Sequence, residues 1–393
     1  MTTARPDHHH AAVPPWRDVR VLRIAVQVVV VALVLAVGLV LWSNLTTSMN
    51  RSRLTFGLGF LDTTAGFEIA ESPIQFSATD TYGRAFAVGL INTLIISVTG
   101  IALATILGVI VGVARLSGNW LVNHLAAGFV EVMRNTPLLV QLVLLYAVFL
   151  QLPSVANAVA LPGSIYLSQR GLSLPRPLLE PTFGPWLAWL AVGIVVAIVA
   201  RWFGSRREAS GHRSFGLRRA GILVMVTIPV VAWVVLGAPI RLDVPVLQRF
   251  NFVGGIVLSP EFSALLFGLV IYTAAFIGEV VRGGIQSVRR GQLEAAYAVG
   301  LTQRQTLRLV VFPQALRVIV PPLTSQYLNL AKNSSLAIAI GFPDLFSVSR
   351  TMSNQTGQPV SVIVMVMATY LAISLATSLV MNLYNRRVQV LER

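Results

Sequence analysis

Arg289-Arg290-Gly291-Gln292-Leu293-Glu294-Ala295-Ala296-Tyr297-Ala298-Val299-Gly300-Leu301 lies between two long apolar runs, about Phe262 to Val281 and about Leu316 to Ile340. The stretch is helical in propensity and closed by a glycine. Leu293, Ala296 and Leu301 share one face, while Arg289, Arg290 and Glu294 take the wet side. A helix this short is marginal alone in water, so it is expected to dock on something. The flanking runs approach the roughly 20 apolar residues that a bilayer crossing needs. The stretch therefore reads as an amphipathic loop helix between two membrane crossings.

The same apolar pattern extends in both directions. Further runs span about Val21 to Trp42, Ala85 to Ala114, Leu121 to Leu152, Trp186 to Phe203, Ala220 to Gly237 and Val360 to Tyr384, which predicts eight crossings. Of 393 residues 55% are apolar and 11% charged, against roughly 25% charged in an ordinary soluble domain. The expected fold class is all-α, a polytopic helical bundle in a membrane.

The net charge of +15 is spread over short loops between apolar segments. That distribution fits orientation by the positive-inside rule and not a continuous basic stripe for nucleic acid. With the N-terminus placed inside, 19 arginines fall on the inner side, among them Arg115, Arg201, Arg206, Arg207, Arg213, Arg218, Arg219, Arg282, Arg386 and Arg387, and 8 on the outer. Glu131, Arg134 and Pro137 interrupt the run from Leu121 to Leu152, yet two crossings there would turn the Arg201 to Arg219 loop outward. It reads as one crossing with a bent or interfacial first part, and both termini are expected in the cytoplasm.

The run from Val21 to Trp42 is too long for a signal peptide and reads as a retained first helix. The loops Thr46 to Arg84 and Pro153 to Pro185, rich in Pro, Gly, Ser and Thr, read as extracytoplasmic connections. Absence of cysteine excludes disulfides, thiolate metal sites and cysteine nucleophiles. His8, His9 and His10 are given no function. His124 and His212 are isolated, and no nucleophile and base constellation or His-Glu-x-x-His pattern suggests an enzyme. A carrier driven by an ion gradient would need intramembrane acid or histidine relays, for which only Glu131 and Glu279 qualify.

Glu294-Ala295-Ala296, then Gly300, then Val310-x-Phe312-Pro313 resembles the EAA loop of binding-protein-dependent ABC importer permeases. The usual ending of that loop is Ile-x-Leu-Pro, so Val310 and Phe312 depart from it with apolar character kept. Three further stretches are similar to the polar amino-acid uptake permeases: Met133-Arg134-Asn135-Thr136-Pro137-Leu138-Leu139-Val140-Gln141-Leu142, Gly278-Glu279-Val280-Val281-Arg282-Gly283-Gly284-Ile285 and Lys332-Asn333-Ser334-Ser335-Leu336. The enlarged chain looks most like the general L-amino-acid permease subunits. The resemblance implies a five-helix type I importer core within residues 84–387, with a two-helix insert at about 153–260 and a coupling loop at 289–313. Residues 1–20 and 388–393 are then tails, and 21–83 an extra helix and outer loop.

In that family the loop seats in a groove of an ATPase subunit, so Arg289, Arg290, Glu294, Ala295, Ala296, Gly300 and Pro313 are the implied ATPase-coupling residues. The chain has no P-loop, because its only lysine, Lys332, precedes Asn333 and not Ser or Thr. ATP and Mg are therefore expected on a partner ATPase, with no cofactor on this chain. The implied partners are an ATPase dimer, a second, similar permease, an extracytoplasmic amino-acid-binding protein and membrane lipid, in a bacterial inner membrane.

Polar residues inside crossings are functional candidates because hydrocarbon penalises them unless they face protein or water. Glu279, Thr136, Gln141, Asn92, Thr93, Gln326, Asn329, Asn333 and Ser334 are the substrate-path candidates. Glu279 with Arg282, and Glu131 with Arg134, have the i,i+3 spacing of plain ion pairs. Pro321-Pro322 is expected to kink or delay the seventh crossing.

Overall fold

The computed structural model describes residues 19–51, 57–209, 215–248 and 251–389. His8, His9, His10, His212 and the terminal tails lie outside the described residues. Among the described residues the chain is mostly helical, at 73%. Helices α1 (Val19–Arg51), α2 (Tyr82–Ala114), α3 (Trp120–Asn135), α4 (Leu138–Leu150), α5 (Phe183–Ala209) and α6 (Phe215–Val235) precede the quoted loop, together with α7 (Pro260–Gln286). The loop carries α8 (Arg290–Ala298) and α9 (Gln303–Thr306), followed by α10 (Phe312–Asn333), α11 (Leu345–Thr356) and α12 (Pro359–Gln389).

Among the described residues six helical stretches are long and apolar enough to cross a membrane, and the bent pair α3 and α4 makes a seventh. Eight were expected; the remaining run is the apolar part of α6, Ala220–Val235, which is shorter than a full span. The α3 and α4 axes turn by 106° at Thr136-Pro137. Pro137 takes no part in α3 and serves as the residue before α4, as a residue without an N–H must at a helix start.

The core is a bundle of α2, α4, α7 and α10, whose interior holds Ile96, Leu142, Leu265, Leu269, Ile277, Ile319 and Leu330. Helix α7 is its axis, with 61% of its apolar window buried. Small residues let the others approach it, as they do where hydrocarbon provides no hydrophobic drive between helices. A Cβ on Gly112 of α2 would lie 2.7 Å from the carbonyl oxygen of Gly278 on α7. By contrast no residue of the α1 window is buried, and α5 and α6 pack mainly on each other.

Three features differ from the sequence reading. The segment from Pro153 to Pro185 is not irregular: β1 (Val159–Leu161), β2 (Ile165–Ser168), β3 (Gly171–Leu174) and β4 (Arg176–Leu179) form there. Strands β5 (Ile240–Asp243), β6 (Val246–Gln248), β7 (Asn251–Val253) and β8 (Ile256–Leu258) follow α6. A four-stranded antiparallel sheet runs β1-β2-β3-β8, and β4 pairs with β5, so the two ends of the segment between α4 and α7 meet. Strands of three or four residues are too short to display a period of two, and the β3 to β8 partners lie far apart in sequence. Second, Pro321-Pro322 does not delay α10, which starts at Phe312 and holds both prolines within its span. The irregular turns lie instead at its ends, a π-turn at Leu307–Val311 and a 3-10 turn at Ser334–Ile340.

Third, α11 lies between the last two apolar runs, where the sequence assigned no element. Its N-cap is Asp344, fully buried, whose carboxylate accepts from the Ser347 N–H at 2.9 Å and from the Tyr370 hydroxyl at 3.3 Å. The next residue, Leu345, donates its N–H to Thr93 Oγ1 of α2 at 2.9 Å. Asn92 donates to the carbonyls of Glu71 and Pro343, each at 2.9 Å. These bonds clamp α11 and the loop before α2 to the start of α2.

Two outcomes follow from this packing. Gly112→Ala is expected to destabilise the detergent-solubilised protein by roughly 1–3 kcal/mol, as overpacking does, while Gly128→Ala within α3, where a Cβ meets nothing within 4 Å, does not lower the melting temperature and raises it slightly, since alanine is the better helix former. Burial pushes the Asp344 carboxyl up from 3.8 to about 6. Between those values the folded chain holds a proton that the unfolded chain has released, so stability falls as pH rises from about 4 to about 6, by up to about 3 kcal/mol, and is flat above. Thermal melts across that range should show the slope, and Asp344→Asn should remove it.

Candidate functional site

One end of the bundle gathers the C-terminal ends of α2 and α7 with the loop that the sequence singled out. In that loop α8 starts after Arg289 and ends in a glycine cap. Gly300 has φ +81°, a left-handed conformation that only glycine adopts freely. The Gly300 N–H bonds to the Tyr297 carbonyl at 2.9 Å and the Leu301 N–H to that of Ala296 at 3.1 Å, a Schellman-type closure. Thr302 then caps α9 through a reciprocal capping box with Gln305. The loop is thus a helix, a glycine turn and a second short helix leading into α10.

Ala296 is buried and Leu293 packs against the main core, whereas Arg289, Arg290, Glu294 and Ala295 are exposed. The amphipathic reading of α8 therefore holds residue by residue. The exposed face also carries large apolar groups: Tyr297 is 51% and Val299 77% exposed. Phe312 stands at 62%, beside Pro313 in the first turn of α10.

Beside this loop end, α2 and α7 are joined by charge. The Glu279 carboxylate pairs with Arg282 at 2.9 Å and with Arg115, which follows the last turn of α2. The i,i+3 pair expected from sequence is present. Arg115 was missed because nothing local marks a residue on another helix as a partner. Glu279 is thus occupied on both oxygens.

A cavity of about 460 Å³ opens between α2, α3 and α7. Arg115, Glu131, Arg134, Asn135, Phe276 and Glu279 line it with two apolar residues of α3. The expected pair of Glu131 with Arg134 does not form. The Arg134 guanidinium lies over the Phe276 ring of α7, 5.2 Å from its centroid, and cation–π contact with a neighbouring helix competes with an exposed i,i+3 ion pair worth only a few tenths of a kcal/mol.

The other path candidates divide into two groups. Gln141 is buried and donates to the carbonyls of Met133 at 2.9 Å and Thr136 at 3.0 Å, while Thr136 donates to Val132 at 2.9 Å. Both therefore satisfy backbone freed at the Pro137 bend. Asn92 and Thr93 serve the α11 clamp, and Ser334 donates to the Ala331 carbonyl at 2.8 Å. In contrast Gln326, Asn329 and Asn333 have no side-chain hydrogen bond among the described residues, and they recur at i, i+3 and i+7, one stripe of α10.

Comparison with known proteins bears on this arrangement. The sequence model of the family described as binding-protein-dependent transport system inner membrane component matches residues 214–390. The chain is 46% identical over 372 residues to the general L-amino acid transport system permease protein AapQ of Rhizobium johnstonii, covering 93% of this chain and 92% of that protein. It is 45% identical over 371 residues to YhdX of Escherichia coli, a putative amino-acid ABC transporter permease protein, covering 93% and 94%. With BztB of Rhodobacter capsulatus, a glutamate/glutamine/aspartate/asparagine transport system permease protein, it shares 40% identity over 411 residues, covering 96% of each. The loop geometry, the apolar spans and relatedness over nearly the whole length agree that the chain is a multi-pass membrane transport subunit and belongs to the binding-protein-dependent transport system inner membrane components, the permeases of ABC importers.

Proposed function

We propose that this chain carries L-amino acids across the bacterial cytoplasmic membrane as one of two permeases in an importer whose ATP and Mg are bound by a separate ATPase dimer. Its near full-length likeness to amino-acid permeases supports the substrate class. The proposal rests most on α8. Leu293 and Ala296 fix this helix to the core, while Tyr297 and Val299 beside them stand exposed. Apolar groups held out by a glycine-capped turn are suited to a groove on another protein.

In this reading the loop end faces the cytosol, with both termini, and the sheet end faces outward towards a binding protein. Nucleotide binding draws the ATPases together, and α8 transmits that movement to α7, which it follows by three residues, and through α9 to α10. The two permeases enclose the path, and the amide stripe Gln326, Asn329 and Asn333 on α10 faces it or the partner permease, since unpaired amides are unfavourable against lipid. Glu279, Thr136, Gln141, Asn92 and Ser334 act on the path through the helices they fix.

Glu294→Lys, on the exposed side of α8, tests the coupling role. In proteoliposomes holding the complete importer, uptake should fall at least about tenfold, equivalent to about 1.4 kcal/mol of coupling, while ATP hydrolysis and membrane insertion persist. Uptake at the parental rate would refute docking through this helix.

A further inference from the structure

The cavity between α2, α3 and α7 holds four ionised side chains, and two of them neutralise each other: Arg115 and Glu279, with Arg282 beside them. Glu131 and Arg134 remain. They project from the last two turns of α3, three residues apart, both exposed, and neither is within ion-pair distance of an opposite charge among the described residues. Arg134 is steadied by the Phe276 ring, which also forms part of the wall. The volume of about 460 Å³ is within the roughly 300–1,000 Å³ of small-molecule sites.

An acceptor carboxylate and a donor guanidinium, held apart on one helix face, are complementary to a molecule bearing an ammonium and a carboxylate on a single carbon. We propose that this cavity is a subsite for the zwitterionic backbone of an amino acid, an inference that rests on the amino-acid reading above. Glu131 accepts from the α-ammonium, and Arg134 donates two N–H groups to the α-carboxylate in the planar fork geometry that suits it. Phe276, Val130 and Ala127 give the side chain an apolar wall, and Asn135 is the one uncharged polar group in the lining. The charged pair thus reads the backbone common to all amino acids.

The test uses the complete importer. Glu131→Gln and Arg134→Gln should each lower the maximal uptake rate of labelled amino acid about tenfold, the scale of one lost charged hydrogen bond. Equilibrium binding to the complex without its binding protein supplies the charge-specific readout. The parent should reject both an N-acetylated amino acid and the corresponding decarboxylated amine as competitors. Glu131→Gln should admit the N-acetylated compound relatively better, Arg134→Gln the amine, and the conservative Arg134→Lys should keep the parental ranking. Variants that transport at the parental rate, or lose transport with the ranking unchanged, overturn the subsite while leaving the amino-acid assignment intact. A parental importer that moves no amino acid overturns that assignment, and the subsite falls with it.

Discussion

The close approach of α2 to α7 sets the geometry of the whole loop end. Gly112 and Gly278 let the two backbones come together at a separation that a side chain would prevent. Only then do Arg115, at the end of α2, and Arg282, one turn along α7, share Glu279. Charges half removed from water are tolerated because each has a partner, and the triad ties the C-terminal ends of two crossings into one rigid unit. Helix α8 follows that unit by three residues, so force applied to the loop reaches α7 with little slack. The cavity of Glu131 and Arg134 exists because α3, turned through 106°, lies beside this junction without filling it.

Much of this was legible in the sequence because the governing signals are local. Apolar runs long enough to cross a membrane stand out against charged loops, and the alternation of Arg289, Arg290 and Glu294 with Leu293 and Ala296 gave the wet and dry faces of α8 correctly. Gly300 marked the helix end. Pro137 marked the break in the third crossing, although the size of the turn depends on how α3 packs against α7. What escaped was non-local. The sheet rests on pairing of Leu172, Ser173 and Leu174 with Leu258, Val257 and Ile256, and no window along the chain contains both sides of it. Arg115 and Phe276 are the same case: each takes a side chain that sequence spacing had matched with another, or with nothing further. Asp344 carries no sequence signal of its own, and its role as a buried cap appears only once α2 is beside it. Pro321-Pro322 shows the reverse, a strong local signal for a late helix start in a helix that nevertheless begins at Phe312.

The candidates for the transport path sort themselves by hydrogen bonding. Asn92, Gln141 and Ser334 spend their polar atoms on backbone carbonyls, which fixes the shape of helices without offering groups to a solute. Gln326, Asn329 and Asn333 spend none on the described residues. Spacing inside a membrane segment identifies both kinds equally, and the distinction between a polar group that shapes a helix and one that is still available lies in where its donors point.

The meeting of β3 with β8 and of β4 with β5 makes the excursion between α4 and α7 begin and end at nearly the same place. An excursion of that form pulls on neither helix, whatever its length. The hairpin of α5 and α6 hangs from the core like a pendant on a closed clasp: its size, sequence and surroundings are free to vary while the crossings on either side keep their register.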